Sequence, residues 1–134
     1  MCVTYLSKSL FPELTFKYSN QLCLFFLISG FSIILISFQT FKKEKTTINP
    51  IKIEKATSLV TSGIFKYSRN PMYLGMVLIL ISTAVKFNFY GGVLVIVFFV
   101  YFITIFQILP EEKAMQKLFG KDFLKYKNKT RRWL

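Results

Sequence analysis

The sequence predicts an all-α integral membrane protein: a bundle of three clear transmembrane helices, or the remainder of a four-helix one, followed by a basic amphipathic C-terminal segment. Three observations predict it. Hydrophobic residues make up 53% of the 134, with 16 Phe among them, which is too apolar for a typical water-soluble domain. Uncharged stretches recur at lengths that cross a bilayer. The excess of 18 Lys and Arg over 6 Asp and Glu is gathered into two blocks between those stretches rather than spread evenly.

Residues 1–17 mix apolar side chains with Lys8, Pro12, Glu13 and Lys17, too short and too polar to cross by themselves. Lys8 follows the first apolar residues, unlike the order in a signal peptide. Residues 3–16 look like the exit from an earlier span, so the chain is expected to start late. Residues 18–41 carry no charge, and 22–41 alone reach about 30 Å at about 1.5 Å per residue, the thickness of the hydrocarbon core. The chain leaves that span at Lys42-Lys43-Glu44-Lys45 and enters a loop at Asn49-Pro50, since a residue before proline avoids helix. The mixed residues 51–65 predict an interfacial loop or short helix ending at Gly63.

A second span is expected over 72–89, broken by Lys86 near enough to its end to snorkel, and a third over 92–109. Asn88 with Gly91-Gly92 supplies turn chemistry for a tight hairpin between them. Beyond it, Met115, Leu118, Phe119, Phe123 and Tyr126 recur every three or four residues among lysines, the pattern of a helix lying in the headgroup layer.

Residues 42–69 hold seven Lys or Arg against two acids, and 111–134 hold eight against three. The positive-inside rule therefore places both the loop 42–71 and the tail 110–134 in the cytoplasm. This asymmetry accounts for the basic balance without nucleic acid as a partner. Cys2 and Cys23 give neither a disulfide framework nor a metal site, and the chain has no histidine, which removes imidazole bases and His-ligated metals.

Two polar clusters remain, one at each membrane-entry point of the hairpin. Pro71 suits the first turn of a helix and keeps Asn70 out of it, leaving free backbone N–H groups that favour an anion, with Arg69 beside them. Arg69 and Tyr73 also read as an ordinary inside charge and an interfacial aromatic, and Gly75 as a small residue for helix packing. Glu111 and Glu112 read either as acids at the start of a tail helix after Pro110 or as ligand-binding carboxylates, with Gln107 one turn earlier.

The ordered set Leu59-Val60-Thr61-Ser62-Gly63-Ile64-Phe65, Tyr67-Ser68-Arg69-Asn70-Pro71-Met72-Tyr73-Leu74-Gly75, a hairpin, Pro110-Glu111-Glu112, Leu118-Phe119-Gly120 and Tyr126 resembles the isoprenylcysteine carboxyl methyltransferase family, which is related to the membrane phospholipid methyltransferases. The match covers roughly residues 46–134. The resemblance implies a multi-pass membrane enzyme that passes a methyl group from S-adenosyl-L-methionine to a lipid-like acceptor. It implies cofactor contacts at Leu59, Val60, Phe65, Asn70, Pro71, Met72, Tyr73 and Glu111, with Gly75 and Glu112 in the same motifs, and Arg69, Asn70 and Tyr73 as the catalytic set. Two positions depart from the pattern. Asn70 stands where the family usually has histidine, keeping hydrogen bonding but not titration near neutrality. Gln107 stands where an arginine contacts the acceptor in the eukaryotic enzymes.

An acceptor that is already anionic, a carboxylate or thiolate of isoprenylcysteine type, needs mainly alignment and exclusion of water, so it is the favoured expectation. A phospholipid amine would first lose a proton and needs a base such as Glu111, Glu112 or a tyrosine. A non-enzymatic membrane scaffold held by its basic tail is the competing reading.

Overall fold

The computed structural model describes residues 17–44 and 58–134. The expected late start and the Asn49-Pro50 loop lie outside the described residues. Those described are helical or irregular, with no strand among them. Helix α1 is Ser19–Lys43, α2 is Pro71–Phe87, and α3 is Phe89–Ile103. A π-helical segment, Thr104–Ile108, carries α3 without a break into α4, Leu109–Lys129. A single 3-10 turn, Gly63–Lys66, precedes α2.

Two helices, Ser19–Lys43 and the continuous Phe89–Lys129, are long and apolar enough to cross a membrane. Only 11% of the most apolar stretch of each is buried, where the core helix of a soluble protein would be mostly buried. Phe25, Phe31, Leu35, Leu94, Val97 and Phe98 all face outward. From Phe89 to the break at Gly120 the second helix rises about 46 Å, longer than the hydrocarbon of a bilayer, so in a membrane its charged part beyond Pro110 would lie outside the hydrocarbon. Helix α2, at 17 residues, is shorter than the second span read from sequence.

Its end is set by Asn88, the extended N-cap of α3, whose Oδ1 accepts a hydrogen bond from the Gly91 backbone N–H at 2.9 Å. The hairpin therefore turns on this one residue. Gly91 and Gly92, expected in the turn, lie inside the first turns of α3 and are buried. A Cβ on Gly92 would overlap Ala84, so the pair lets α2 and α3 approach closely. Likewise a Cβ on Gly75 would stand 2.8 Å from the carbonyl oxygen of Gly30, and one on Gly30 would stand 2.7 Å from that of Gly75. Small residues thus bring α1 and α2 into backbone contact. Lys86 Nζ donates to Asn20 Oδ1 at 2.7 Å, fixing the end of α2 to the start of α1.

At the other end of the bundle the segment before α2 is clamped from two sides. Ser62 Oγ donates to Glu44 Oε1 at 2.9 Å, and the Phe65 ring packs edge-on against Phe41 at 4.9 Å. On the opposite side Tyr126 donates its hydroxyl to the Phe65 carbonyl at 2.7 Å. That bond needs Phe123 and Tyr126 turned inward, and both are buried. The break in α4 that allows it is Gly120, with φ 47° and ψ −116°, a conformation nearly restricted to glycine.

Candidate functional site

Pro71 opens α2 at its first position, where its missing N–H costs nothing. Two turns of sequence logic then bring three polar side chains together. Tyr73 lies in the first turn of α2, while Gln107 and Glu111 lie four residues apart on α3–α4. The Tyr73 hydroxyl donates to Glu111 Oε1 at 2.8 Å, and Gln107 Nε2 donates to the same oxygen at 2.6 Å. Burial pushes the Glu111 carboxyl above its usual range, and the two hydrogen bonds offset only part of that. Gln107 lies within the π segment, whose wider turn sets the register between α3 and α4. Nothing in the residue pattern announces such a segment.

Glu112, one residue on, faces a different group. Arg132 holds it in a two-pronged pair, Nε to Oε1 at 2.9 Å and Nη2 to Oε2 at 3.0 Å. Arg69 Nη1 lies 3.2 Å from Oε1, and Lys127 Nζ 3.9 Å from Oε2. Burial alone would raise the Glu112 carboxyl, but Arg132, Arg69 and Lys127 outweigh it and hold the carboxyl below its usual range. One carboxylate against three cations leaves a surplus of two positive charges. Arg69 has only 8% of its side chain exposed, and its Nε and Nη1 have no hydrogen-bond partner, since Nη1 faces Glu112 at ion-pair distance but out of line. Burial lowers the affinity of this guanidinium for its proton, with Glu112 opposing, yet arginine stays charged.

The C-terminal residues complete the cluster. The Arg69 backbone N–H donates to the Arg131 carbonyl at 3.0 Å, and Asn70 Nδ2 donates to the Arg132 carbonyl at 3.0 Å. Ser68, itself fully buried, receives the Asn70 backbone N–H on its Oγ at 3.1 Å. Asn70 therefore binds the tail of its own chain with the amide expected to meet a ligand.

The remaining sequence-predicted residues fall elsewhere. Gly75 lies in the contact with α1, and Pro71 is buried at the helix start. Val60 and Phe65 are core residues of the clamped segment, and Met72 is half-buried. Leu59 lines a groove of about 610 Å³ between this segment and α4. Sequence reasoning missed Arg132. Its signal was composition: six lysines serve the tail from 111 to 129, and arginine appears in the whole chain only at 69, 131 and 132. Arginine in place of lysine fits two-pronged pairing to a carboxylate.

One end of the bundle thus holds two neighbouring polar groups: a buried carboxylate with two donors on it, and, from the adjoining loop, a buried guanidinium paired with Glu112 whose Nε has no hydrogen-bond partner.

A family model described as phospholipid methyltransferase matches residues 19–122 of the chain. An uncharacterized protein of Haemophilus influenzae is 36% identical over 63 residues, which are 47% of this chain and 100% of that protein. No solved structure matches the chain.

Proposed function

The chain belongs to the phospholipid methyltransferase family, and on that premise we propose that it transfers a methyl group from S-adenosylmethionine to a lipid-borne acceptor at the polar end of the bundle. The observation that carries the reading is the convergence of Tyr73 and Gln107 on Glu111 where the apolar part of Phe89–Lys129 ends. In this reading α1, α2 and residues 89–110 all cross the bilayer, and both basic segments lie on the cytoplasmic side.

When bound, S-adenosylmethionine supplies a methyl group on a cationic sulfur, open to direct displacement. The residues fit its polar groups. Glu111 is a buried acceptor for a hydroxyl group, and Arg69 Nε is a buried N–H donor without a hydrogen-bond partner for a carboxylate. Tyr73 and Gln107 fix the orientation of the Glu111 carboxyl, and the closing C-terminal residues limit access of water to Arg69.

The acceptor we favour is a phospholipid amine. Such an amine must lose a proton before its nitrogen attacks, and Glu111, with a carboxyl raised by burial, is a base the site can offer. An isoprenylcysteine-type carboxylate is the second reading, supported by the two surplus positive charges around Glu112.

Calorimetry of S-adenosylmethionine and its demethylated product on detergent-purified protein tests the cofactor. The Glu111→Gln variant is expected to bind roughly 10-fold to 100-fold more weakly, the loss of a hydrogen bond to a charged group. Unchanged affinity in the variant, or no binding by a folded wild type, overturns the proposal. Labelled methyl transfer to phosphatidylethanolamine against a prenylated cysteine then separates the two acceptors.

A further inference from the structure

We propose that the groove between the 59–66 segment and the last turns of α4 binds the phosphate of an anionic phospholipid headgroup, at a site separate from the methyl-transfer cluster. The inference rests on the chain lying in a membrane and not on its catalysing methyl transfer.

The groove holds about 610 Å³, within the range of small-molecule sites. Lys125 and Lys129, four residues apart on one face of α4, line one wall, and Lys66 lines the other. Asp122 is the single acid among the lining residues, which leaves a surplus of two positive charges. Asp122 lies 3.8 Å from Lys125, but both side chains are about four-fifths exposed (79% and 81%), so that pair is weak and easily exchanged.

A row of lysines along one helix face is ordinarily a solvated surface. Here a third lysine comes from a separate segment, and the two walls are tied together. The Tyr126 hydroxyl holds the Phe65 carbonyl at 2.7 Å, and Thr130 Oγ1 donates to the Lys66 carbonyl at 3.3 Å. The cations therefore face a common space without the protein having to close a loop. Thr61 adds a hydroxyl at the rim.

The membrane supplies the occupant. In the membrane reading residues leave the hydrocarbon at Pro110, the break at Gly120 redirects the last turns of α4, and Tyr126 ties them to the 59–66 segment, itself held to the end of α1 through Ser62–Glu44 and Phe65–Phe41; Leu118, Leu124 and Tyr67 are exposed apolar side chains beside the charged stretch. Such an amphipathic surface lies in the interface, where each lysine adds attraction to anionic lipid. None of the groove residues belongs to the Tyr73–Gln107–Glu111 group or to the ion cluster at Glu112, and Leu59 alone among them is a cofactor contact implied by the family resemblance.

The test uses the whole chain in uncharged detergent, titrated below the micelle concentration with dihexanoyl phosphatidylglycerol, dihexanoyl phosphatidylcholine or glycerol 3-phosphate, with binding read by calorimetry. One variant replaces Lys66, Lys125 and Lys129 by Gln, and a control replaces Lys113, Lys117 and Lys121 by Gln, removing the same charge. All six lysines are exposed, so both variants are expected to fold. The expected result is saturable binding of phosphatidylglycerol alone, weakened on the order of 100-fold in the groove variant and by less than about 3-fold in the control. Equal losses in both variants would show diffuse attraction and overturn the site. Equal binding of glycerol 3-phosphate would overturn the lipid assignment, and absence of saturable binding would overturn both.

Discussion

Replacing Glu112 by glutamine removes the carboxylate shared by Arg69, Arg132 and Lys127, and leaves Arg69 buried without a counter-charge. Breaking a buried ion pair from one side costs about 3–5 kcal/mol. Two of the three partners are well solvated here, with side-chain exposures of 32% for Arg132 and 41% for Lys127, so their share is small. The cost falls on Arg69, at 8% exposure, and the low end of the range, about 3 kcal/mol, is the expected loss. Glu111→Gln should behave in the opposite sense. Its carboxyl is raised by burial, and glutamine keeps the oxygen that accepts from Tyr73 and Gln107. That variant should be at least as stable as the wild type at pH 7 even as it loses cofactor affinity.

The pH dependence separates the two further. Glu112 has a lowered folded value, so its stabilisation is present above its ordinary value of 4.5 and disappears as the pH falls through the lower folded one. Glu111 has a raised folded value, so stability is greatest below 4.5 and declines as the pH rises through the folded one. SDS titration in mixed micelles, followed by fluorescence of the single tryptophan, Trp133, reads the ion cluster directly because Trp133 adjoins Arg132. Far-UV circular dichroism reads the helices in parallel. A Glu112→Gln protein within 1 kcal/mol of wild type at pH 7, or a Glu111→Gln protein destabilised as much as it, would refute the reasoning.

Two further substitutions probe the scaffold. Gly75→Ala places a Cβ 2.6 Å from Ile34 Cγ1 and 2.8 Å from the Gly30 carbonyl oxygen, which is backbone and cannot rotate away. A loss of about 1–3 kcal/mol is expected in the same titration, and Gly30→Ala should be less than additive with it because both open one contact. Tyr126→Phe deletes the 2.7 Å bond to the Phe65 carbonyl, costing about 1–2 kcal/mol and speeding tryptic cleavage after Lys66. Unchanged cleavage would show that the segment is held without that hydroxyl.

The apolar helices were legible because length and lack of charge set them, and the start of α2 because proline permits few alternatives at Asn70-Pro71. The hairpin was half legible. Asn88 was recognised, but Gly91-Gly92 satisfied two physical demands at once, turn chemistry and close packing, and only the packing against Ala84 decides between them. The closing of the C-terminus over Ser68-Arg69-Asn70 was not legible. It consists of backbone carbonyls at Arg131 and Arg132 meeting groups more than 60 residues away, and carbonyl acceptors have no residue signature.

Glu111 and Glu112 show where pattern reasoning had more to give. Read as a pair, they seemed to share one role, whether as capping acids or as ligand carboxylates. Successive residues on a helix diverge by about 100°, so adjacent glutamates cannot both face the same small cluster. Geometry alone therefore requires that one of them serve something else. Gln107, four residues before Glu111, stacks on its face and claims it for the Tyr73 group. Glu112 is left to the cations: Lys127 comes from α4 itself at 3.9 Å, and the closer counter-charges come from outside that helix. Arg69 and Arg132 supply them, so the conspicuous pair of acids splits into one carboxylate held by neutral donors and one held by cations.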